Sequence, residues 1–220
     1  MHSTLVNLNE IQKEIHQKIN EKAIPIKLPK IIAVSKTHSM ENILPLINFG
    51  HLDYGENKVQ EAMEKWPEVK ESNKKIKLHL IGKLQTNKVK TAVKIFDYIH
   101  SLDNEKLANK IADEERKQDK KIKIFIQINI GEEDQKSGVN KKNILEFYKY
   151  CKNLNLNIIG TMCIPPKEGN THSHFVEMNR INNVLNLLEL SMGMSEDYME
   201  AALNHSTFIR IGSKIFGKRN

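Results

Sequence analysis

The sequence predicts an α/β fold, a single-domain (β/α)8 barrel of the TIM type with an extra N-terminal helix. Two observations carry this prediction: eight short apolar or β-branched segments alternate with helical patterns, and 220 residues suffice for one closed barrel. An open doubly wound sheet has the same local alternation, but the count of eight favours the barrel. No linker-like segment divides the chain. We therefore expect one domain over residues 1–220, with the helix and lead-in at 1–30 and the barrel at 31–217.

The first element is an amphipathic helix from about residue 5 to residue 22. Leu8, Ile11, Ile15 and Ile19 recur at helical spacing, so they share one face. The segment IPIKLP then ends the helix, because proline disfavours helical backbone for the residue before it. This helix precedes the first strand and is the extra element of the predicted fold.

Eight strands follow, each a short run of apolar or β-branched residues, which is typical of buried parallel strands. In chain order they are KIIAVS, HLDYG, KLHLIG, FDYIHSL, IKIFIQINI, NIIGTMC, LELSMG and TFIRIGS. The helical patterns between them are SMENILPLINFG, VQEAMEKW, TNKVKTAVKI, NEKLANKIADEERKQ, KNILEFYKYCKN, FVEMNRINNVLNLL and SEDYMEAALN. If these units form a barrel, the functional side chains should lie at the carboxyl ends of the strands.

The amino-acid composition indicates in which compartment the protein works and which classes of partner are not expected. The net charge of +7 comes from 34 basic and 27 acidic side chains, but lysine is abundant throughout, so we infer no nucleic-acid partner from it. No segment approaches the length of a membrane span, and we expect no membrane partner. Cys151 and Cys163 are too few for a disulfide framework or a thiolate metal site. This usage indicates a reducing compartment, and we expect a cytoplasmic protein.

No metal site is expected. His172 and His174, in the motif THSH, lie on a predicted loop without a third ligand in view.

Lys36 ends the first predicted strand, in the segment IIAVSKTHS. Side chains alternate along a strand, so Ile32, Val34 and Lys36 share one face, and the amine enters the barrel mouth if that face lines the interior. One interpretation is a lysine whose amine reaches water at the strand end. The other is an amine that captures a carbonyl compound, for which its pKa must fall from the usual value of about 10.4.

The last two strands end in groups that suit an anion. Phe208 and Arg210 share one face of the last strand, so an arginine enters an apolar interior and needs a partner. Gly212 and Ser213 follow, and Ser195 stands where the N-cap of a helix is expected. The loops after strands 7 and 8 commonly bind phosphate in TIM barrels. A helix cap alone is the competing interpretation of Ser195.

Seven motifs together resemble one family. They are AVSKT, YGENKVQE, HLIGKLQTNK, QINIGEEDQKSG, IGTMCIPP, SMGMSEDYMEAA and STFIRIGSKIFGKR. Their order and spacing resemble the pyridoxal phosphate homeostasis proteins, which are similar to the N-terminal barrel domain of alanine racemase. The resemblance runs from about residue 8 to residue 219.

The resemblance implies a cofactor, pyridoxal 5′-phosphate (PLP), and a role for each matching residue. Lys36 is implied to form a Schiff base with PLP, and Arg210 to face the pyridine nitrogen. The implied phosphate ligands are Ser195, Gly212 and Ser213.

Two further residues, Asn57 and His79, are implied to line the same pocket. Asn57 has the alternative role of stabilising the turn after Gly55, and His79 that of a hydrogen-bonded core histidine. The sequence departs from the family pattern at Lys58 and Lys83, which bears on ligand preference near the mouth.

Two functions remain open at this point. The resemblance implies a non-catalytic PLP-binding protein of PLP (vitamin B6) and amino-acid homeostasis, with PLP-dependent apo-enzymes as conceivable recipients; we expect a monomer. The alternative is a small PLP-dependent enzyme such as an amino-acid racemase. Racemisation needs an acid and a base on opposite faces of the substrate, and the sequence offers only Lys36. An arginine at the pyridine nitrogen only donates, leaves that nitrogen unprotonated and mutes carbanion chemistry.

Overall fold

A computed structural model describes residues 2–22, 25–133, 135–166 and 168–217. Residues 23 and 24, in the predicted lead-in, lie outside these ranges. The strands close into one parallel barrel in chain order, with β8 pairing with β1. They are β1 Lys30–Val34, β2 Asp53–Glu56, β3 Lys77–Leu80, β4 Tyr98–Leu102, β5 Lys123–Ile128, β6 Ile158–Cys163, β7 Glu189–Ser191 and β8 Phe208–Ile211. All eight predicted strands and the predicted barrel are confirmed.

Helices connect and surround the strands. They are α1 Ser3–Asn20, α2 Met40–Asn48, α3 Val59–Lys65, α4 Pro67–Ser72, α5 Val89–Ile95, α6 Glu105–Gln118, α7 Ile144–Asn153, α8 Thr171–Val184, α9 Tyr198–Leu203 and α10 Ser213–Phe216. The loop predicted for His172 and His174 is wrong: the side chain of Asn170 accepts a hydrogen bond from the Ser173 N–H and caps α8 there. Within the described ranges, no helix combines the length and apolar character needed to cross a bilayer.

The predicted N-terminal helix is confirmed as α1, which buries Leu8, Ile11, Ile15 and Ile19. It packs against α2, α9 and α10. The side-chain amide of Asn7 donates to the carbonyl oxygen of Ile215 at 2.9 Å. Helix α1 thus braces the short α10, which follows the last strand.

The interior of the barrel differs in chemistry from its outer layer. An apolar cluster of Ile32, Tyr98, Phe125, Met162 and Phe208 fills part of the interior. The larger apolar cluster lies between the strands and the helices. The interior also buries several polar side chains, so it is not the purely aliphatic filling common in these barrels.

Register and strand tilt decide how high each inward residue lies. Val34 pairs with Gly55, Gly55 with His79, and His79 with Tyr98. Val34 lines the cavity at the carboxyl ends of the strands, whereas Tyr98 lines a cavity at the opposite end. Because the strands of such barrels tilt by about 36°, paired residues on successive strands step down the barrel. His79 therefore lies below the mouth.

Candidate functional site

The carboxyl ends of the strands surround a cavity of about 770 Å³. Six of the residues predicted for a site line it: Lys36, Asn57, Ser195, Arg210, Gly212 and Ser213. Apolar side chains of Val34, Ile81, Ile164 and Met194 complete the wall near them. An amine, two hydroxyls and a guanidinium thus meet in one partly apolar cavity.

The loop that carries Lys36 is held by hydrogen bonds to its backbone. Thr37 adopts the left-handed conformation, with φ of 65°, and its N–H donates to the carboxylate of Glu61. The amine of Lys65, on α3, donates to the carbonyl oxygens of Ser35 at 2.8 Å and His38 at 3.3 Å. Since these groups flank Lys36 on both sides, they fix the direction in which its side chain leaves the strand.

Glu56 anchors this arrangement from inside the fold. Its Oε1 accepts from Ser35 Oγ at 2.8 Å and from Trp66 Nε1 at 3.0 Å, and it lies 2.9 Å from Lys65 Nζ. Its Oε2 is buried without a hydrogen-bond partner in the described part of the chain. Burial raises the pKa of Glu56, and the interactions with Lys65, Trp66 and Ser35 oppose that rise.

Asn57 reaches the cavity because Gly82 lies against its backbone. A Cβ atom on Gly82 would lie 2.4 Å from the carbonyl oxygen of Asn57, so a side chain there would push the two loops apart. The side chain of Asn57 is half-buried at the mouth. The loops after β2 and β3 therefore meet at van der Waals distance.

The predicted N-cap role of Ser195 is wrong. Helix α9 begins at Tyr198, and Asp197 occupies the N-cap position. The carboxylate of Asp197 accepts from the Met194 N–H at 2.6 Å, which forms a turn over residues 194–197 before the helix starts. Ser195 is 9% exposed, lies on this turn and lines the cavity.

Arg210 has the partners that a buried cation needs. Its Nη1 donates to Ser191 Oγ at 2.8 Å, and its Nη2 donates to the carbonyl oxygen of Cys163 at 2.9 Å. Burial lowers its pKa from the usual value for arginine. These two hydrogen bonds fix the guanidinium plane at the cavity floor.

The expectation that His79 lines the cavity is wrong. His79 is fully buried below the cavity, with Nε2 3.0 Å from Asp53 Oδ1 and Nδ1 2.9 Å from His100 Nε2. Its ring stacks on Tyr98 at 4.2 Å between centroids. The physical reason is the strand tilt described above, which places Ile81, two residues later and just beyond the end of β3, at the mouth. The alternative interpretation, a hydrogen-bonded core histidine, is confirmed.

Comparisons with known proteins identify the family. The family model "Alanine racemase, N-terminal domain" matches residues 6–220. The pyridoxal phosphate homeostasis protein of Pasteurella multocida is 34% identical over 225 residues, which cover 97% of each chain. The chain belongs to the pyridoxal phosphate homeostasis protein family.

Solved structures agree with this family assignment. PipY of Synechococcus elongatus, a family member solved with PLP bound, has a TM-score of 0.80 at 30% identity over 93% of this chain and 99% of that one. Alanine racemase of Clostridium difficile has a TM-score of 0.74 at 13% identity over 99% of this chain and 57% of the racemase. The likeness to the racemase shows a shared fold alone.

Several residues at this family's cavity escaped the sequence-based search. Those that line the cavity are His38, Gln127, Asn129, Gln135, Lys136, Ser137, Glu196 and Gly217. Lys83, which the sequence analysis named for the mouth, also lines it. Alternation along QIN, at the end of β5, was the available signal for Gln127 and Asn129. Glu56, Lys65, His100 and Ser191 act through other residues, and nothing local in the sequence pairs them. The described residues include no cluster of three or more side chains suited to a metal ion.

Proposed function

We propose that this protein binds PLP in the cavity, holds it as a Schiff base on Lys36, and serves PLP and amino-acid homeostasis without catalysing a reaction. The observation that most supports this proposal is that one cavity is lined by Lys36, Ser195, Ser213 and Arg210. PLP has an aldehyde, a phosphate and a pyridine nitrogen, and each finds a chemically suitable group there.

Each chemical group of PLP has a counterpart among the cavity residues. An amine on a strand end suits the aldehyde, since a lysine amine condenses with carbonyl compounds. The hydroxyls of Ser195 and Ser213, with the backbone at Gly212, offer donors for a phosphate. Arg210 keeps a buried guanidinium fixed at the cavity floor, where it can donate to the pyridine nitrogen. Bound PLP would supply an electrophilic carbon. Asn57, at the mouth, would contact the pyridine ring.

The acid–base groups around the cavity support a function without catalysis. A racemase needs a second proton-transferring group on the face opposite the lysine. No tyrosine is among the described residues that line the cavity, and the hydroxyl of Tyr198 donates to Glu14 on α1 instead. The thiol of Cys163 is fully buried, and burial raises its pKa to about 12. Family relatives named as homeostasis proteins support the same proposal.

The remaining proposals concern partners and assembly. PLP-dependent apo-enzymes would be the recipients of the bound cofactor, and the protein would act as a monomer in the cytoplasm. Neither nucleic acid nor a membrane is proposed as a partner.

The first test is the visible absorption spectrum after PLP is added and the excess removed. We expect an imine band in the native protein, borohydride trapping of PLP on Lys36, and complete loss of both in Lys36→Ala. Lys83→Ala is the matched control, because Lys83 also lines the cavity, and it should keep the band. An equal band in Lys36→Ala, or no band in any protein, would contradict the proposed role of Lys36.

The second test addresses catalysis directly. We expect no formation of the opposite enantiomer when the PLP-loaded protein is incubated with single-enantiomer amino acids and analysed by chiral chromatography. A sample without protein gives the background rate. Catalytic inversion that disappears in Lys36→Ala would replace the binding function with that of a racemase.

A further inference from the structure

A chain of hydrogen bonds crosses the barrel interior and ends on Arg210. Asp53 Oδ1 lies 3.0 Å from His79 Nε2, and His79 Nδ1 lies 2.9 Å from His100 Nε2. His100 Nδ1 lies 2.9 Å from Ser191 Oγ, which accepts from Arg210 Nη1 at 2.8 Å. The chain links the amino-terminal end of β2 to the cavity floor.

The position of each proton follows from the groups at the two ends. Arginine only donates, so Ser191 Oγ accepts from Arg210. Its single hydrogen points to His100 Nδ1 in the one arrangement that also gives the carboxylate of Asp53 a donor at the other end. A neutral His100 then carries its proton on Nε2 and donates to His79 Nδ1. His79 in turn carries its proton on Nε2 and donates to Asp53. Every hydrogen bond therefore points from Arg210 toward Asp53.

The surroundings keep both histidines neutral and in place. Burial lowers the pKa of His79, against the hydrogen bond with Asp53, and lowers that of His100 well below its usual value. A second proton on His79 would set two N–H groups face to face across 2.9 Å, and a second proton on His100 would meet the hydroxyl hydrogen of Ser191. His79 stacks on Tyr98 and His100 stacks on Phe125, each at 4.2 Å between centroids, so the rings cannot turn freely.

Asp53 is the group that sets the direction. Burial alone would raise its pKa, but the hydrogen bond from His79 and the charge of Lys30 lower it, so Asp53 is a carboxylate that only accepts. With the opposite tautomers, a ring nitrogen lone pair would face this carboxylate. Arg210 is thus held by neutral acceptors, and no carboxylate lies within ion-pair distance of its guanidinium among the described residues.

We propose that Asp53, His79, His100 and Ser191 are positioning residues that hold Arg210 from the opposite end of the barrel, through a hydrogen-bond chain of one fixed direction. The chain leaves the guanidinium uncompensated by a neighbouring carboxylate and therefore available to an acceptor in the cavity. The part of this inference that concerns the pyridine nitrogen rests on the proposed PLP function. The direction of the chain does not.

The direction is tested in the protein without PLP. Histidine ¹⁵N–¹H correlation NMR, assigned with His79→Gln and His100→Gln, should show Nε2 protonated and Nδ1 bare in both rings. Asp53→Ala should convert the two rings to mixed tautomers, while Asp53→Asn, whose amide oxygen still accepts, should retain the native pattern. An Nδ1-protonated ring in the native protein, or unchanged tautomers in Asp53→Ala, would overturn the proposal.

The effect on Arg210 is tested with PLP labelled with ¹⁵N in its ring. Ser191→Ala should move the pyridine ¹⁵N shift away from the native value, and Ser191→Thr should restore it. Ser101→Ala is the control, since Ser101 is buried beside His100 and its hydroxyl has no hydrogen-bond partner in the described ranges. An unmoved shift in Ser191→Ala would refute the positioning role. If the native protein retains no PLP, the proposed function fails. The tautomer measurement still tests the direction of the hydrogen-bond chain in that case.

Discussion

The two sides of the cavity hold Lys36 and Arg210 by opposite means. On the β1–β2 side, the loop of Lys36 is fixed by a charged cluster in which Lys65 lies between Glu56 and Glu61 at 2.9 and 2.8 Å. On the β7–β8 side, Arg210 is fixed by a hydroxyl and a carbonyl oxygen, which are neutral acceptors. The first side uses direct ion pairs, and the second side has none among the described residues.

The difference separates cations with different roles. Lys65 is not among the described residues that line the cavity, so carboxylates beside it do not compete with a ligand. Arg210 lines the cavity, where a carboxylate would occupy the donors that a ligand needs. Neutral acceptors orient the guanidinium beside the cavity without an ion pair. The β1–β2 cluster should therefore matter more for folding and the β7–β8 contacts more for binding.

The largest stability effect is expected from Glu56→Ala. The substitution removes a fully buried carboxylate and leaves Lys65, Trp66 and Ser35 without their common acceptor. We expect the free energy of unfolding to fall by about 3 kcal/mol, since breaking one partner of a buried pair is costly. Urea denaturation monitored by tryptophan fluorescence measures it, with Trp66 as the one tryptophan of the chain.

Glu61→Ala is the matched control for this cluster. The side chain of Glu61 is 22% exposed, and it also pairs with Lys65. Because water replaces part of its interactions, we expect a loss of about 1 kcal/mol. Equal losses for the two variants would show that burial of Glu56 does not set the strength of the cluster.

A smaller effect on stability is expected from Arg210→Met. The variant leaves Ser191 Oγ and the Cys163 carbonyl without their donor, but it also removes a buried charge whose desolvation opposes folding. We expect these contributions to offset each other to a net loss of about 1 kcal/mol in the same urea measurement. A loss as large as that of Glu56→Ala would mean that Arg210 is chiefly a structural residue, and the contrast between the two sides would fail.

Local patterns in the sequence determined the strands, the barrel and the inward direction of two key residues. Eight strands alternating with helices require nothing beyond composition and spacing, and all eight are observed. Because side chains alternate with a period of two, Val34 and Lys36 were assigned to one shared face, and Phe208 and Arg210 to another. The structure places Lys36 and Arg210 at one cavity.

Only the tertiary structure decided the height of each inward residue and its long-range partners. His79 has the same alternation as Ile81, yet strand tilt and register place it below the cavity, and neither can be read from one strand. The contacts of Lys65 with the Lys36 loop, and of His100 with Ser191, join residues distant in sequence. Periodicity fixes which way a side chain faces because it is a property of one segment. Which group it meets depends on how separate segments close into a barrel.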